Sequence, residues 1–273
     1  MALYAISDLH LAHEANRRVV ERVLPHPDDW LVIAGDVGEK EDDLRFALQV
    51  FTARFKRVIW TPGNHDLWTL PNEQNGLRGV ALYQRLVEIC HEYGVTTPED
   101  PYPLWTQNGA TYRIAPLFTL YDYSFRPDEV PAEAALDWAL EADTLCSDEY
   151  LLHPDPYPDR IAWCRARCWY TEQRLAALPS DAPLVLVNHW PLRYDLARLP
   201  RVPRFSLWCG TKLTENWHLR FPVATVIYGH LHLRGTHRRN GIRFEEVSLG
   251  YPRNWDQTYA LEHYLRRIFP TNG

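Results

Sequence analysis

One pattern recurs along this chain: a short apolar segment ends abruptly in a polar cluster that contains glycine or histidine. The first three apolar segments span residues 3–6, 30–34 and 57–61. Segments that are apolar on both faces are typical of parallel strands with helices on each side, so a β-α-β-α-β start is predicted. Apolar residues recur at helical spacing between the three segments, at Val19, Val20, Val23 and Leu24 and then at Leu44, Leu48, Phe51 and Phe55.

The rest of the chain mixes helices with hairpins. Asn108-Gly109 and Asn240-Gly241 predict two hairpin turns, because both dipeptides supply the positive φ values of a type I′ turn. This mixture predicts an α/β domain with two layers of sheet covered by helices. Further helices are predicted over 79–93 and 159–178, and further strands over 105–107, 110–114, 184–187, 223–228 and 242–247.

Charge is distributed unevenly along the chain. The net charge of −6 disfavours a protein whose whole surface is built for nucleic acid, so no nucleic-acid partner is expected. Residues 122–160 hold eleven acidic and two basic residues. We interpret the segment of about 100–160 as a cap or insertion within a single domain that spans residues 1–273. A helix is predicted near 132–146 within this segment. Residues 193–220 hold six basic and two acidic residues.

The five cysteines include no Cys-x-x-Cys pair, which favours a reduced compartment over a disulfide framework. No apolar run approaches the roughly 20 residues of a membrane span, and the first residues lack the basic start of a signal peptide. We therefore expect a cytoplasmic protein with no membrane span. The sequence indicates no particular oligomeric state.

Five of the apolar segments end in clusters that carry chemistry. Ligands of open α/β sheets bind beyond the carboxyl ends of the strands, so these clusters are expected to converge. Asp8, Asp36 and Asn64 are spaced by 28 residues, about one βα repeat, which places the first three clusters on successive strands. In chain order the clusters are Asp8-Leu9-His10, Gly35-Asp36, Gly63-Asn64-His65-Asp66, Asn188-His189 and Gly229-His230-Leu231-His232.

The donor types in these clusters favour transition metals. Imidazole, carboxylate and amide oxygen without thiolate suit Mn, Fe or Zn better than a structural zinc site. Seven donors exceed the need of one ion and suit two ions that share a carboxylate, an arrangement that can promote displacement at phosphorus. The seven candidate metal ligands are Asp8, His10, Asp36, Asn64, His189, His230 and His232.

In order and spacing, these motifs resemble the calcineurin-like metallophosphoesterase superfamily. The resemblance runs from residue 8 to residue 232. It implies a four-layer αββα sandwich of two mixed sheets flanked by helices, with two divalent or trivalent metal ions between the sheet ends. It implies one ion held by Asp8, His10 and His232, another held by Asn64, His189 and His230, and Asp36 as the bridge.

The resemblance also implies catalytic roles in the third cluster. His65 would protonate the leaving-group oxygen as a general acid, and Asp66 would orient its imidazole. A turn-capping role for Asp66 is the alternative. Outside the motifs, Arg193 is the candidate for binding substrate phosphate, because a guanidinium group matches phosphate oxygens and the Arg-rich segment follows the strand that carries His189.

The motifs predict a reaction class more sharply than a substrate. Phosphoprotein substrates are disfavoured, because Gly35-Asp36-Val37-Gly38 and Gly63-Asn64-His65-Asp66 depart from the protein phosphatase patterns. We expect an enzyme that hydrolyses a small organic phosphate ester, a nucleotide-like or other monoester or diester, by attack of a metal-bound hydroxide. The alternatives are a non-catalytic scaffold protein with this fold and a phosphodiesterase that acts on lipid or nucleic acid.

Overall fold

The computed structural model describes residues 1–71 and 76–270. Within these ranges the chain forms ten strands and seven α-helices, joined by 3₁₀ turns and loops. The strands are β1 (Leu3–Ile6), β2 (His26–Ala34), β3 (Phe55–Thr61), β4 (Leu104–Gln107), β5 (Ala110–Pro116), β6 (Leu184–Val187), β7 (Val223–Tyr228), β8 (Gly235–Arg239), β9 (Ile242–Glu246) and β10 (Arg266–Phe269). The helices are α1 (Glu14–Glu21), α2 (Glu41–Thr52), α3 (Gly79–Glu92), α4 (Ala135–Leu140), α5 (Asp148–Leu151), α6 (Arg160–Ala176) and α7 (Trp217–Arg220).

The strands form two mixed sheets. The four-stranded sheet has the order β10-β1-β2-β3, in which β1, β2 and β3 are parallel and β10 is antiparallel to β1. The six-stranded sheet has the order β4-β5-β6-β7-β9-β8, with a parallel centre and an antiparallel pair at each edge. The predicted β-α-β-α-β start is therefore confirmed.

Side-chain alternation along the strands separates two cores. In β2, Val32 packs in a cluster with Val185 of β6, between the two sheets. Its neighbours Leu31 and Ile33 belong to a second cluster, which includes helical residues such as Leu48 of α2. Each sheet therefore has one face on the other sheet and one face under helices, which confirms the four-layer αββα sandwich of two mixed sheets.

The two sheets meet where β1 and β9 end. Ser7 and Ser248 form a parallel bridge, in which the Ser7 N–H donates to the Val247 carbonyl (3.2 Å) and the Leu249 N–H donates to the Ser7 carbonyl (2.9 Å). This bridge joins the sheets at the carboxyl ends of their parallel strands. The polar clusters of one sheet consequently lie beside those of the other.

Two local expectations were wrong, and one strand was missed. Phe55 starts β3 instead of continuing α2, which ends at Thr52. Its ring still packs near that of Phe51, so the two residues share a core although they do not share a helix. The helix predicted near 132–146 ends at Leu140, because the chain enters a left-handed turn at Asp143 (φ 50°). β10 was not predicted, since its four residues offer only one apolar pair.

None of the helices within residues 1–71 and 76–270 combines the length and apolar character that crossing a membrane requires. All five cysteines are buried and free.

Candidate active site

The structure brings all seven candidate ligands together at the carboxyl ends of five strands. Three overlapping groups have side-chain donor atoms within 4.8 Å of one another. Two of these groups share Asp36, and Asn64 lies beside the group that contains His189. The groups are Asp8, His10 and His232; His10, Asp36 and His65; and Asp36, His189 and His230.

The backbone at these strand ends is strained. Non-glycine residues with positive φ are uncommon, and such strain concentrates at functional sites. Five of the seven candidate ligands adopt it, so the chain turns sharply after β1, β2 and β7 and directs these polar side chains into the site. They are Asp8 (54°), His10 (42°), Asp36 (54°), His230 (72°) and His232 (53°).

Asp36 occupies the centre of the site. Its Oδ1 accepts the His65 backbone N–H at 2.8 Å, which fixes the carboxylate plane. Its Oδ2 lies 3.3 Å from His189 Nε2 and 4.0 Å from His10 Nε2, between imidazoles of different sheets. Gly63 packs so closely against Asp36 that a Cβ atom there would overlap Oδ1. The geometry fits the bridging position predicted for Asp36.

Asp8 presents one oxygen to the site and has the other anchored. Its Oδ2 accepts hydrogen bonds from the Ser7 and Ser248 hydroxyls at 2.5 and 2.7 Å. Its Oδ1 lies 3.1 Å from His232 Nε2, and that nitrogen is 3.1 Å from His10 Nε2. The Ser7–Ser248 bridge between the sheets therefore also orients the first candidate group.

The second group is oriented by a bond between the sheets. His189 Nδ1 donates to the Ala34 carbonyl at 2.9 Å, which directs Nε2 into the site. Nε2 lies 3.2 Å from Asn64 Oδ1 and 3.2 Å from His230 Nδ1. Asn64 Oδ1 is also 3.1 Å from His230 Nδ1, so three donor atoms converge on one point.

Burial and neighbouring charges divide the histidines into two kinds. Burial and the adjacent His65 lower the pKa of His10 to about 3, and burial and His189 lower the pKa of His230 to about 3. Both imidazoles are therefore neutral and have free lone pairs. Burial also opposes the charged form of His189, but the Asp36 carboxylate outweighs it and raises the pKa of His189 to about 10. The pKa of Asp36 is lowered in turn, against burial, by His189.

This donor set fits metal ions. Ring nitrogens face each other at 3.1 Å (His10 and His232) and 3.2 Å (His189 and His230), distances at which only one proton fits between them. Imidazoles, carboxylates and an amide oxygen gathered in this way match the preferences of Mn, Fe and Zn. Two groups on either side of Asp36 could hold two such ions.

The partner of His65 differs from the expected one. The Asp66 carboxylate accepts backbone N–H groups of Asp36 (2.9 Å), Val37 (2.9 Å) and Gly63 (2.8 Å), so it braces the loop and does not orient the imidazole. His65 Nδ1 instead lies 3.1 Å from Glu39 Oε1. Against the effect of burial, Asp36 and Glu39 raise the pKa of His65. The only sequence signal for Glu39 is its place in the loop after Asp36.

Arg193 does not reach the site. Its Nε donates to Asp195 at 2.7 Å, and it is not among the described residues that line the cavity over the candidate ligands. A nearby carboxylate thus holds the guanidinium group away from the site. Arg253 lines the cavity instead and lies over the Tyr251 ring, 5.1 Å from its centroid. The position of Arg253 just beyond the last parallel strand is the sequence signal that could have identified it as a cavity residue.

The cavity has a volume of about 350 Å³ and two chemically different walls. One wall carries candidate ligands and His65. The other wall is largely apolar and comes from two separate segments, within residues 145–147 and 199–205. The first segment is the only part of the predicted cap among the described residues that line the cavity. β4 and β5, which the prediction included in the cap, belong to the six-stranded sheet. The residues of the apolar wall include Leu145, Cys146, Leu199, Val202 and Phe205.

The chain matches a known family and a curated relative with a solved structure. The family model described as calcineurin-like phosphoesterase matches residues 1–234. A curated relative, the [acyl-carrier-protein] phosphodiesterase PptH of Mycobacterium tuberculosis, is 46% identical over 270 residues, which cover 98% of this chain and 83% of the relative. The crystal structure of phosphopantetheinyl hydrolase (PptH) from Mycobacterium tuberculosis superposes with a TM-score of 0.94 at 46% identity, covering 99% of this chain and 96% of that one.

Proposed function

We propose a substrate for this protein, which belongs to the calcineurin-like phosphoesterase family and is a phosphoric ester hydrolase. The proposed reaction is hydrolysis of the phosphodiester that links phosphopantetheine to an acyl carrier protein. The observation that carries it is the 46% identity over 98% of the chain to a phosphodiesterase of acyl carrier protein. The small nucleotide-like ester expected from the sequence finds no support in this relative.

The family uses a dinuclear metal centre, and the donor set described above fits one. We assign one ion to Asp8, His10 and His232, the other to Asn64, His189 and His230, and the shared position to Asp36. When bound, two such ions supply positive charge to the phosphate oxygens and activate a water molecule as the nucleophile.

The chain's own contribution to bond cleavage is His65. It lies in the cavity wall with its ring 4.6 Å from that of His10 and 3.7 Å from that of Trp68. Glu39 accepts from Nδ1 and favours the imidazolium, which leaves Nε2–H to protonate the departing hydroxyl oxygen of the carrier protein. A protonated leaving oxygen is essential for an alkyl ester, whose alkoxide is a poor leaving group.

The apolar wall supports a phosphopantetheine ester. Val202 is 46% exposed and Leu145 is 39% exposed, although both line the cavity beside the candidate ligands. The aliphatic part of a pantetheine arm can pack on such a wall while its phosphate lies at the polar side. The exposed Arg253 at the same cavity adds positive charge for a phosphate or an acidic carrier-protein surface.

The test is direct hydrolysis of a purified carrier protein that bears phosphopantetheine. The protein is incubated with it in Mn²⁺, and intact-protein mass spectrometry follows loss of the phosphopantetheine group. We expect conversion to the unmodified carrier protein. Asp36→Asn should abolish conversion because it removes the shared negative charge, whereas Asp137→Asn, at an exposed residue of α4, should not affect it.

Parallel assays with bis(p-nitrophenyl) phosphate separate the reaction from the substrate. Hydrolysis of that ester with an unchanged carrier protein would contradict the proposed substrate and leave the phosphodiesterase chemistry intact. Failure on both substrates, with Mn²⁺ bound, would contradict the reaction itself.

A further inference from the structure

A buried carboxylate outside the sequence motifs contacts both parts of the candidate site. Asp148, the first residue of α5, is fully buried within the acidic segment that the sequence marked as a cap. Its Oδ1 accepts a hydrogen bond from Asn64 Nδ2 at 2.9 Å and another from Trp68 Nε1 at 2.7 Å. Asn64 is a candidate ligand, and Trp68 packs against His65, the proposed general acid.

The bond to Asn64 determines which end of its amide faces the site. A carboxylate oxygen only accepts hydrogen bonds, so the group directed at Asp148 must be the Nδ2 amine. The carbonyl oxygen is thereby directed at His189 and His230, at 3.2 and 3.1 Å. A flipped amide would place its oxygen against the Asp148 carboxylate and its N–H groups toward the place of a cation, and both contacts are unfavourable.

The bond to Trp68 acts on the second half of the site. The Trp68 ring packs against His65 with the ring centroids 3.7 Å apart. Because the same Asp148 oxygen holds the indole N–H, it also holds the surface on which the imidazole rests. One oxygen atom of α5 therefore orients a candidate ligand and supports the general acid.

The helix α5, which carries Asp148, is held by contacts that do not involve the candidate ligands. Arg160 donates to the Asp148 carbonyl (2.7 Å), the Leu152 carbonyl (2.9 Å) and the Glu149 carboxylate (2.9 Å). Glu149 in turn accepts the Trp208 indole N–H at 2.7 Å. These contacts hold α5 independently of the candidate ligands, which is what orienting a ligand requires.

We propose that Asp148 is a positioning residue that sets the orientation of the Asn64 amide and so completes the second cation site. It touches neither substrate nor ion and acts through Asn64. The inference rests on the proposed function, because it takes Asn64 as a ligand. It assigns to the acidic segment a structural task inside the site, in addition to its place in the cavity wall.

Calorimetric titration of metal-free protein with Mn²⁺ tests this proposal without any assay of activity. The wild type is expected to bind two ions. Asp148→Ala frees the amide to rotate and should weaken one of the two sites about 10–100-fold, the usual effect of removing a group that orients a ligand. Asp148→Asn keeps an acceptor oxygen for Asn64 and Trp68, so it should restore binding to within a few-fold of wild type.

Asp137→Asn is the control, since it alters an exposed carboxylate of α4 in the same acidic segment. Unweakened binding in Asp148→Ala would overturn the proposal. Equal weakening in Asp137→Asn, or no restoration in Asp148→Asn, would also overturn it, because the effect would then come from the loss of negative charge. A wild type that binds fewer than two ions would instead refute the dinuclear site of the proposed function.

Discussion

At the scale of single residues, the site depends on carboxylates with one oxygen anchored and the other presented. Asp36 binds the His65 N–H through one oxygen and faces two imidazoles with the other. Asp8 shows the same division between two serine hydroxyls and His232. Anchoring one oxygen removes the rotational freedom of the side chain, so little entropy remains to be lost when the other oxygen binds.

The contact between Glu39 and His65 predicts a shift in the pH profile. The Glu39 carboxylate raises the pKa of His65, so Glu39→Gln should lower that pKa. His65, the proposed general acid, would then lose its proton at a lower pH, and the alkaline limb of the kcat profile for carrier-protein hydrolysis should move to lower pH. An unmoved alkaline limb would contradict this pairing.

His65 itself predicts a dependence on the leaving group. His65→Ala should lower kcat by about 10²–10⁴-fold on the carrier-protein ester. The loss should be much smaller on bis(p-nitrophenyl) phosphate, whose phenolate leaves without protonation. Equal losses on the two esters would argue against a role for His65 as a general acid.

Gly229 predicts a steric effect on the first candidate group. A Cβ atom there would overlap Ser7 Oγ and Asp8 Oδ2, so Gly229→Ala must displace the anchored oxygen of Asp8. We expect unfolding to become easier by about 1–3 kcal/mol, the usual cost of overpacking, together with weaker Mn²⁺ binding. Urea denaturation and metal titration measure both. Gly235→Ala, whose added Cβ finds ordinary contacts, should change neither.

At the scale of elements, the strands supply the site and the irregular segments supply its cavity. The parallel strands end at one level, so short loops suffice to bring their side chains together. The apolar wall comes from residues 145–147 and 199–205, which lie outside the sheets. Substrate choice can therefore vary through these segments without disturbing the strands that carry the candidate ligands.

The long helix α6 anchors the segment that contains α5, and its start predicts a stability effect. Asp159 Oδ1 accepts the Ala162 N–H at 2.7 Å and so caps the helix. Asp159→Ala should lower the free energy of unfolding by about 0.5–2 kcal/mol, as loss of such caps does. Chemical denaturation measures the change. Asp159→Asn keeps the acceptor, and a loss as large as that of Asp159→Ala would contradict the capping role.

At the scale of the whole molecule, the candidate site lies between two sheets that contribute comparably to it. Asp8, Asp36 and Asn64 follow strands of the four-stranded sheet, whereas the three histidines 189, 230 and 232 follow strands of the six-stranded sheet. Ions bound there would connect the two sheets in addition to the Ser7–Ser248 bridge. Folding and metal binding are therefore expected to be coupled.

This coupling predicts that metal ions stabilise the fold. Free Mn²⁺ at 100 times its Kd should raise the free energy of unfolding by about 2.7 kcal/mol for each ion bound, since an ion that binds only the native state stabilises it by mass action. Thermal unfolding with Mn²⁺ and with a chelator measures the difference. Asp36→Asn should show a smaller increase in Tm, and an equal increase in that variant would place the stabilising ions elsewhere.

The exposed apolar wall of the cavity predicts a selective effect on a protein substrate. Val202→Asp puts a charge at the cavity wall and should raise KM for the carrier protein about five-fold or more, equivalent to about 1 kcal/mol. Hydrolysis of bis(p-nitrophenyl) phosphate should be unaffected. Leu219→Asp is the control, because Leu219 is 60% exposed on α7 and is not among the described lining residues. Equal KM values for Val202→Asp and wild type would exclude a contact between the carrier protein and the cavity wall at Val202.

Local patterns in the chain were enough to predict the parallel start of the first sheet and the seven polar residues at the strand ends. An apolar run, a glycine and a polar side chain within a few positions specify where a strand ends and which polar group comes next. Parallel strands then bring such ends together without further information. This is why the sequence by itself predicts that Asp8, Asp36, Asn64 and the clusters around His189 and His230 are neighbours in the fold.

The side chains that support these ligands are selected by three-dimensional packing. Asp148 lies 84 residues from Asn64 in the chain, and Glu39 lies 26 residues from His65. Arg193 binds Asp195 instead of facing the site, and Asp66 braces backbone N–H groups instead of an imidazole. These contacts depend on side-chain direction and on packing between distant segments. Neither is encoded in periodicity or spacing, because each depends on free-energy differences that arise only once the elements are assembled.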